Sequence, residues 1–321
     1  MTLESATHLS EDGGRTALVR AWLSTTALFL SGVYLPVAGA LLIVLTPQPG
    51  LELERRSGKL ALLPLVVMTA ATTAIAGGTQ VALAYLAGFA LLTWLLATLL
   101  RRGSSIEATV GLTTALVGGV GGAAAYLIFP SFQAIRDGAR SLLEESWALL
   151  IDIYSKSGVP TEVVERLSEG GDRFVEIVFR IAPALLLIVL GSVVLLNLCL
   201  VRWRERRQGT APSFGDLTRW SSSPATVWVL IAAGYASFLP WPVVRAVAWN
   251  VLALVLAVYF CQGLSILQFT FRSWRVPTWA RVLAYIFVAL EWLAAAVVLL
   301  LGIFDQWGDF RQLKPRPVED D

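Results

Sequence analysis

The feature that most constrains this chain is a series of long apolar runs that contain no charged residue. Residues 21–46 and 108–129 are two examples. About 20 apolar residues in a helix span the roughly 30 Å hydrocarbon core of a bilayer. In lipid, every backbone polar group must be satisfied within the protein, which leaves only α-helices and closed barrels. Because the runs are continuous rather than alternating, they predict membrane-spanning α-helices.

The composition agrees with this prediction. Hydrophobic residues make up 56% of the chain and charged residues 15%, against about 45–50% and about 25% in soluble domains. We expect an all-α fold, a polytopic transmembrane helix bundle with about seven to nine membrane segments and one long amphipathic extramembrane helical region. The lipid bilayer is the expected partner. A net charge of +2, without a basic stripe, argues against nucleic acid.

The distribution of charge divides the chain into five parts. These are a polar N-terminal tail (1–20), N-terminal transmembrane helices (21–129), an amphipathic and acidic extramembrane helical region (130–180), C-terminal transmembrane helices (181–304) and a charged C-terminal tail (305–321). Glycines and a proline interrupt residues 21–46, so this run is either one kinked span or two half-helices joined near Tyr34. The run 225–238 is short and is either a span or a re-entrant segment.

Glycines predict two further helix boundaries. Residues 77–79 separate the apolar runs 60–76 and 80–100. Gly170 and Gly171 end the amphipathic pattern, after which one helix is expected to run through Arg180 into the next apolar block.

Basic loops predict the orientation, because short loops rich in Lys and Arg stay on the cytoplasmic side. The loop 202–219 carries five arginines, and we place it inside, together with the loops at Arg55, Arg101 and Arg272. The C-terminal tail disagrees, since its bases favour the inside whereas counting spans puts it outside. Either 225–238 is re-entrant and reverses everything after it, or the acidic residues of the tail offset its bases.

Polar residues within the late apolar runs are the candidate ligand-binding residues: Asn250, Gln262, Gly263 and Glu291. The amides could hydrogen-bond a ligand, and a glycine beside Gln262 permits close approach. Glu291 falls inside the expected last span, 282–304, where a carboxylate costs roughly 2.5–3.5 kcal/mol and often marks a ligand or proton path. The alternative is structural: interhelical hydrogen bonds for the amides, and a protonated or partnered glutamate that fixes helix packing.

Three charged residues near the end of the last run form a second candidate set. Asp305, Asp309 and Arg311 are interpreted as a gate or a structural motif near the interface. Asp305 can pair with Arg311 only if the chain between them is not a simple helix face.

Small residues four apart on one helix face form a third set. They are Ala27 with Ser31, and Gly118 with Gly122. Such spacing permits close helix contact. These residues either form packing seams within the protein or dock a partner subunit.

The sequence lacks the residues and motifs of known enzyme classes. The single histidine, His8, lies in the N-terminal tail, and the two cysteines, Cys199 and Cys261, lie within apolar runs. Metal sites and Ser/His or Cys/His catalysis therefore lack their usual residues. No Walker loop, zinc-protease pair or nucleophile elbow is present. We expect no enzyme activity, no cofactor and no metal, and we expect the first apolar run to be retained rather than cleaved as a signal peptide.

Four segments carry a family resemblance across nearly the whole chain. They are Pro47 and Pro49 with Arg56 and Gly58; residues 182–185 with Asn197 and the arginines after it; residues 259–264; and residues 301–305 with Trp307, Asp309, Phe310 and Arg311. Together they resemble the YybS-like family of predicted multi-pass bacterial membrane proteins, a domain of unknown function. The C-terminal segment is the most specific of the four.

The resemblance implies a multi-pass protein of the bacterial plasma (inner) membrane, similar in character to the substrate-binding subunits of energy-coupling-factor vitamin transporters. With the polar residues and broken helices, it favours small-solute, vitamin-like transport or solute binding, and it allows a membrane partner subunit. The long region 130–180 departs from a compact six-helix subunit. The alternative function is a non-transporting membrane scaffold or regulatory protein that docks through this region and the glycine seam. Substrate and oligomeric state are left open.

Overall fold

The computed structural model of the protein describes residues 3–128 and 131–311. Within these residues the chain forms thirteen α-helices and no strand, which confirms the predicted all-α class. The helices are α1 (Leu3–Tyr34), α2 (Pro36–Ile43), α3 (Pro47–Ser57), α4 (Leu62–Tyr85), α5 (Leu91–Arg101), α6 (Ile106–Ile128), α7 (Phe132–Lys156), α8 (Thr161–Glu169), α9 (Gly171–Gln208), α10 (Ala225–Ala236), α11 (Pro242–Ser273), α12 (Thr278–Leu290) and α13 (Trp292–Gly308). Short 3₁₀ turns lie at Lys59–Ala61 and Leu217–Arg219, and a π-helical turn at Leu86–Ala90.

The chain divides into two compact units. Unit 1 consists of Met1–Leu149 and Val189–Phe214, and unit 2 of Leu150–Ile188 and Gly215–Asp321. Helices α7 and α9 therefore contribute residues to both units.

In unit 1 the first apolar run forms two helices rather than one kinked span. α1 ends at Tyr34, Leu35 is extended (φ −116°, ψ 100°), and α2 begins with Pro36. Proline suits the first position of a helix because its φ is fixed and its missing N–H would be unpaired there. α2 lies so close to α1 that a Cβ on Gly39 would overlap the carbonyl of Ser31. The run is therefore divided near Tyr34, but α1 is long enough to span a membrane by itself and only α2, with 8 residues, is a half-helix.

The long helical stretch after α3 reverses at Gly78. This residue has φ 85° and ψ 175°, a conformation that costs other residues substantial strain. The two arms on either side pack together, because Val66 and Ala70 share one core cluster with Val81 and Tyr85. The break expected at these glycines is therefore confirmed.

One face of α6 is buried in unit 1. Thr109, Thr113 and Val117 are at most 4% exposed and recur every four residues, the spacing of one helix face. Leu112 and Leu116 on the other side are 50% and 44% exposed. In a bilayer, such outward apolar side chains are covered by lipid.

The expected amphipathic region forms α7, α8 and the start of α9. α9 begins at Gly171 and continues through Arg180, as the glycine pair predicted. Leu142, Leu149 and Ile153 of α7 are each about half exposed or more. The described part of the chain therefore leaves the apolar side of α7 uncovered.

In unit 2, α12 and α13 form a broken pair. Their axes bend by 102° at Glu291, whose backbone is extended (φ −102°, ψ 112°). The last span expected over 282–304 is therefore not one continuous helix, and Glu291 lies at a helix junction. The break places its carboxylate at the N-terminus of α13, where the helix dipole favours negative charge.

The number of spans is smaller than the seven to nine expected. Among the described residues, five helical stretches are long and apolar enough to cross a membrane, and six if the α12–α13 pair counts as one span. One reason is that α10 has 12 residues, about 18 Å of helix, which is too short to cross alone. Another is that Lys59–Arg101 counts as one stretch although it reverses at Gly78.

Candidate functional site

A buried polar cluster in unit 2 surrounds Gln262 on α11, whose side chain is 1% exposed. Its Oε1 accepts hydrogen bonds from the backbone N–H and the hydroxyl of Ser222, at 3.0 and 2.6 Å. Its Nε2 donates to Oδ2 of Asp305 at 3.1 Å. Both ends of this amide are therefore bonded to the protein itself.

Asp305 and Arg311 form a buried ion pair within the same cluster. Nη2 of Arg311 lies 2.6 Å from Oδ2 of Asp305, and the two side chains are 0% and 5% exposed, respectively. Oδ1 of Asp305 accepts from the N–H of Phe310 at 3.0 Å. The pair can form because α13 ends at Gly308 and Asp309 turns the chain back in the left-handed conformation (φ 39°, ψ 51°). The chain between the two partners is thus not a continuous helix, as the pairing requires.

The cluster holds an irregular stretch of backbone, residues 216–222, which we call the clasped loop. Nη1 of Arg311 donates to the carbonyl oxygens of Thr218 and Trp220, at 3.1 and 2.7 Å. A guanidinium carries several donors in a fixed plane, so Arg311 bonds this loop and Asp305 together.

Two further side chains bond the clasped loop. The hydroxyl of Ser265 donates to the carbonyl of Leu217, and Nε2 of Gln306 donates to the hydroxyl of Ser222 at 2.7 Å. Buried backbone N–H and C=O groups outside regular helices need hydrogen-bond partners from side chains or water. The cluster therefore supplies the partners that this loop needs.

Gly263 lies where α11 crosses α13. A Cβ on Gly263 would overlap the carbonyl of Val298, and a Cβ on Gly302 would overlap the carbonyl of Tyr259. The two glycines let the helix backbones touch, as small residues do in membrane bundles. The close approach that was expected of a ligand at Gly263 is therefore made by helix α13.

Asn250 on α11 bonds to α9 beside its proline. Pro183 has no N–H to donate and its ring crowds the preceding turn. Oδ1 of Asn250 accepts from the N–H of Ala184 at 2.9 Å, and its Nδ2 donates to the carbonyl of Arg180 at 2.8 Å. A regular helix would join these two backbone groups to each other. The amide of Asn250 therefore bridges a helical hydrogen bond next to the proline.

Glu291 stands apart from both amides. It is exposed, and its side chain makes no capping hydrogen bond to α13. Asn250 and Gln262 are about 18 Å apart along α11. The structure thus brings Gln262 and Gly263 together with Asp305 and Arg311, and it places Asn250 and Glu291 elsewhere. The ligand-binding role of these residues stays a prediction.

The predicted packing residues differ in their surroundings. Ser31 lies against α2 at Gly39, whereas the side chain of Ala27 is exposed. Gly118 is half-buried, and a Cβ on Gly122 would meet nothing within 4 Å. The seam at Gly122 is therefore open in the described part of the chain.

Unit 1 contains a second buried amide pair, Gln48 on α3 and Asn197 on α9. Nε2 of Gln48 donates to Oδ1 of Asn197 at 2.7 Å, and Nδ2 of Asn197 donates to the carbonyl of Val44 at 3.0 Å. Val44 lies in the turn between α2 and α3. As in unit 2, an amide on a long helix bonds backbone at a break in the chain.

Sequence reasoning missed four members of these sets: Ser265, a small polar residue within the apolar run of α11, and Ser222, Gln306 and Gln48. Ser222 stands in a run of three serines, a composition typical of loops. Gln306 and Gln48 lie at the edges of apolar runs. Their position gave no signal that distinguished a buried amide from an interfacial one.

Contacts of the clasped loop bear on the C-terminal tail. Arg272 lies 3.2 Å from Asp216, and Arg311 bonds Thr218 and Trp220. The broken α12–α13 pair therefore returns the chain from Arg272 to the same loop at Arg311. The side of the membrane on which the tail lies stays a prediction.

Long apolar helices, broken at several points and tied by buried amides, define a polytopic α-helical membrane protein. One family profile matches residues 24–306, nearly the whole chain. The chain belongs to this family, which is described as predicted membrane protein DUF2232. No curated protein and no solved structure matches the chain. The narrower YybS-like assignment stays a prediction.

Proposed function

We propose that this protein binds a small solute within the membrane, as a solute-binding or transport protein, and that the helix break at Glu291 is the binding element. The observation that carries the proposal is the 102° bend in an apolar helix pair with a carboxylate at its corner. Discontinuous helices of this kind form the substrate sites of many transporters.

The chemistry of the break supports this role. A helix start leaves its first N–H groups without helical partners, and here no side-chain cap replaces them. Leu290 and Trp292 beside the break are each 78% exposed. Unpaired backbone groups and a carboxylate are expensive in hydrocarbon, so a polar ligand, water or a partner must meet them. A solute that offers both an acceptor for the N–H groups and a donor for Glu291 would fit this corner.

The amides have a different use in this proposal. Asn250 bonds the chain's own backbone and Gln262 bonds Ser222 and Asp305, so they preserve the fold around the site rather than contact the solute. This division predicts that changes at Gln262 lower stability, whereas changes at Glu291 affect mainly binding.

Thermal unfolding of the purified protein with a panel of vitamin-like solutes tests the proposal. We expect one solute to raise the unfolding temperature of the wild type, and Glu291→Gln to abolish that shift while lowering the stability of the unliganded protein by no more than about 1 kcal/mol, the helix-dipole contribution. Glu165 is an exposed carboxylate on α8, so Glu165→Gln is the matched control and should keep the shift in unfolding temperature. The proposal fails if Glu291→Gln keeps the shift and the uptake of every solute, or if no solute stabilises the wild type.

A non-transporting scaffold is the second candidate. It is favoured by one observation: α6 presents Gly119 and Gly122 to open space, so this small-residue face is free to meet another helix. A membrane partner subunit would then cover α6 without any solute.

We also place the protein in the bacterial plasma membrane and assign it no enzymatic activity, cofactor or metal. The motivation is the sequence resemblance for the location, and the absence of catalytic motifs in the chain for the activity. Membrane fractionation of the source cells tests the location directly.

A further inference from the structure

An open cleft lies in unit 1 between α1, α3 and the end of α9, with a volume of about 690 Å³. Four arginines from these three helices line it, and we call it the arginine cleft: Arg20, Arg56, Arg204 and Arg207. Glu52 is the one acidic residue among the described residues that line it. Four positive charges and one negative charge leave a lining charge of +3.

The existing contacts leave much of this charge available. Arg56 is paired with Glu52 at 2.7 Å, and Arg207 stacks 4.1 Å over the ring of Trp203. No described carboxylate pairs with Arg20 or Arg204. Like charges gathered in one cleft repel one another, so an anion bound between them would relieve that repulsion. Guanidinium groups match phosphate oxygens in geometry as well as charge.

We propose that the arginine cleft binds the phosphodiester headgroup of an anionic phospholipid such as phosphatidylglycerol. This site lies in unit 1 and is independent of the proposed solute site at Glu291. Its volume exceeds what a single phosphate ion needs, and apolar side chains such as Ala21 and Leu53 line part of it.

The surroundings of the cleft point to a lipid rather than a soluble anion. Arg20 lies on α1 within a candidate membrane span, Gly14–Tyr34. Val19 and Leu23 on the same helix are 44% and 55% exposed, which puts an apolar surface for acyl chains next to the guanidinium. Trp203 is 50% exposed, and tryptophan favours the headgroup region. The basic loops at Arg55 and at 202–219, which adjoin the cleft, are also the ones expected at the cytoplasmic leaflet, which carries anionic lipid.

Native mass spectrometry of the full chain, released from detergent after incubation with lipid, tests the proposal. The probes are phosphatidylglycerol, phosphatidylcholine and inorganic phosphate. We expect the wild type to retain one phosphatidylglycerol in preference to phosphatidylcholine. Arg204→Gln with Arg207→Gln should weaken retention about 30-fold, because each arginine near an anionic surface contributes about a fivefold factor. The matched control, Arg166→Gln with Arg173→Gln, removes the same charge from exposed positions of α8 and α9 and should retain the lipid.

Three results would overturn the proposal. The first is equal retention of phosphatidylglycerol by the wild type and the Arg204/Arg207 variant, and the second is an equal loss in the control. The third is displacement of phosphatidylglycerol by millimolar inorganic phosphate, which would assign the cleft to a soluble anion. If the double variant does not fold, Arg20→Gln is used instead, because it alters an exposed side chain. It should weaken the retention of phosphatidylglycerol about fivefold. Unchanged retention in this variant would also overturn the proposal.

Discussion

At the scale of single residues, several buried polar side chains of this protein bond backbone groups as well as one another. Gln262, Arg311 and Asn250 each satisfy carbonyl or N–H groups that a regular helix would satisfy by itself. The cost of desolvating these side chains is offset only while every partner is present. Single substitutions that remove one partner should therefore be more damaging than their surface counterparts.

Arg311→Met tests whether loss of one buried partner is unusually damaging at the Asp305–Arg311 ion pair. It leaves Asp305 buried without its cation and frees the carbonyls of Thr218 and Trp220. We expect it to lower the free energy of unfolding by about 3–5 kcal/mol, measured by denaturant titration in detergent. Arg219→Met, at an exposed position of the same loop, is the control. Equal effects of the two substitutions would show that the buried pair has no special role.

A double-mutant cycle tests whether Asn250 replaces the helical hydrogen bond that is missing beside Pro183. Asn250→Leu removes the partner of the Ala184 N–H and the Arg180 carbonyl, which should cost about 1–3 kcal/mol. With Pro183→Ala the helix can close its own hydrogen bonds, so the same Asn250→Leu change should cost less. Identical costs in both backgrounds, measured by thermal unfolding, would mean that Asn250 does not compensate for the proline.

Some of these residue contacts were predictable from the sequence and others were not, for a physical reason. The spacing of Asp305 and Arg311 showed that they could pair only around a helix end, and the helix does end there. Gln262 and Asn250 were recognised as unusual because amides are rare in apolar runs. Which atoms they bond depends on neighbours far along the chain, such as Ser222, and local sequence does not contain that information.

At the scale of elements, glycine has two distinct uses in this chain. Gly78 permits a backbone reversal with positive φ, whereas Gly263 and Gly302 permit two helices to touch. The break at Gly78 was predictable because glycine conformation is a local property. The break at Glu291 was not, since neither proline nor glycine adjoins it and the run reads as one continuous span.

Alanine substitutions should separate packed glycines from open ones. Gly263→Ala would push a methyl group into the Val298 carbonyl of α13, and overpacking of this kind typically costs about 1–3 kcal/mol. Gly122→Ala meets open space and should be neutral, or stabilising by up to about 1 kcal/mol through helix propensity. Thermal unfolding of both variants is the measurement. Destabilisation by Gly122→Ala would indicate that another helix covers that face.

At the scale of the whole molecule, the contacts of the clasped loop predict the side of the C-terminus. Arg272 and Arg311 both bond this loop, so the tail should begin on the same side of the membrane as the basic loop 202–219. A fluorescent-protein fusion at the C-terminus and one after Arg219 should both fluoresce in bacteria, and alkaline phosphatase at either position should be inactive. An active phosphatase at the C-terminus alone would contradict this topology.

A solute site at Glu291 requires that the helix break opens to water rather than to lipid, and cysteine labelling measures this. Cys199 and Cys261 are first replaced by Ala, and Glu291→Cys is then treated in membranes with a charged, water-soluble thiol reagent. Val297→Cys on α13, at a 51% exposed apolar position, serves as the lipid-facing control. We expect rapid labelling at position 291 and none at 297. Labelling at 291 as slow as at 297 would contradict the proposed site.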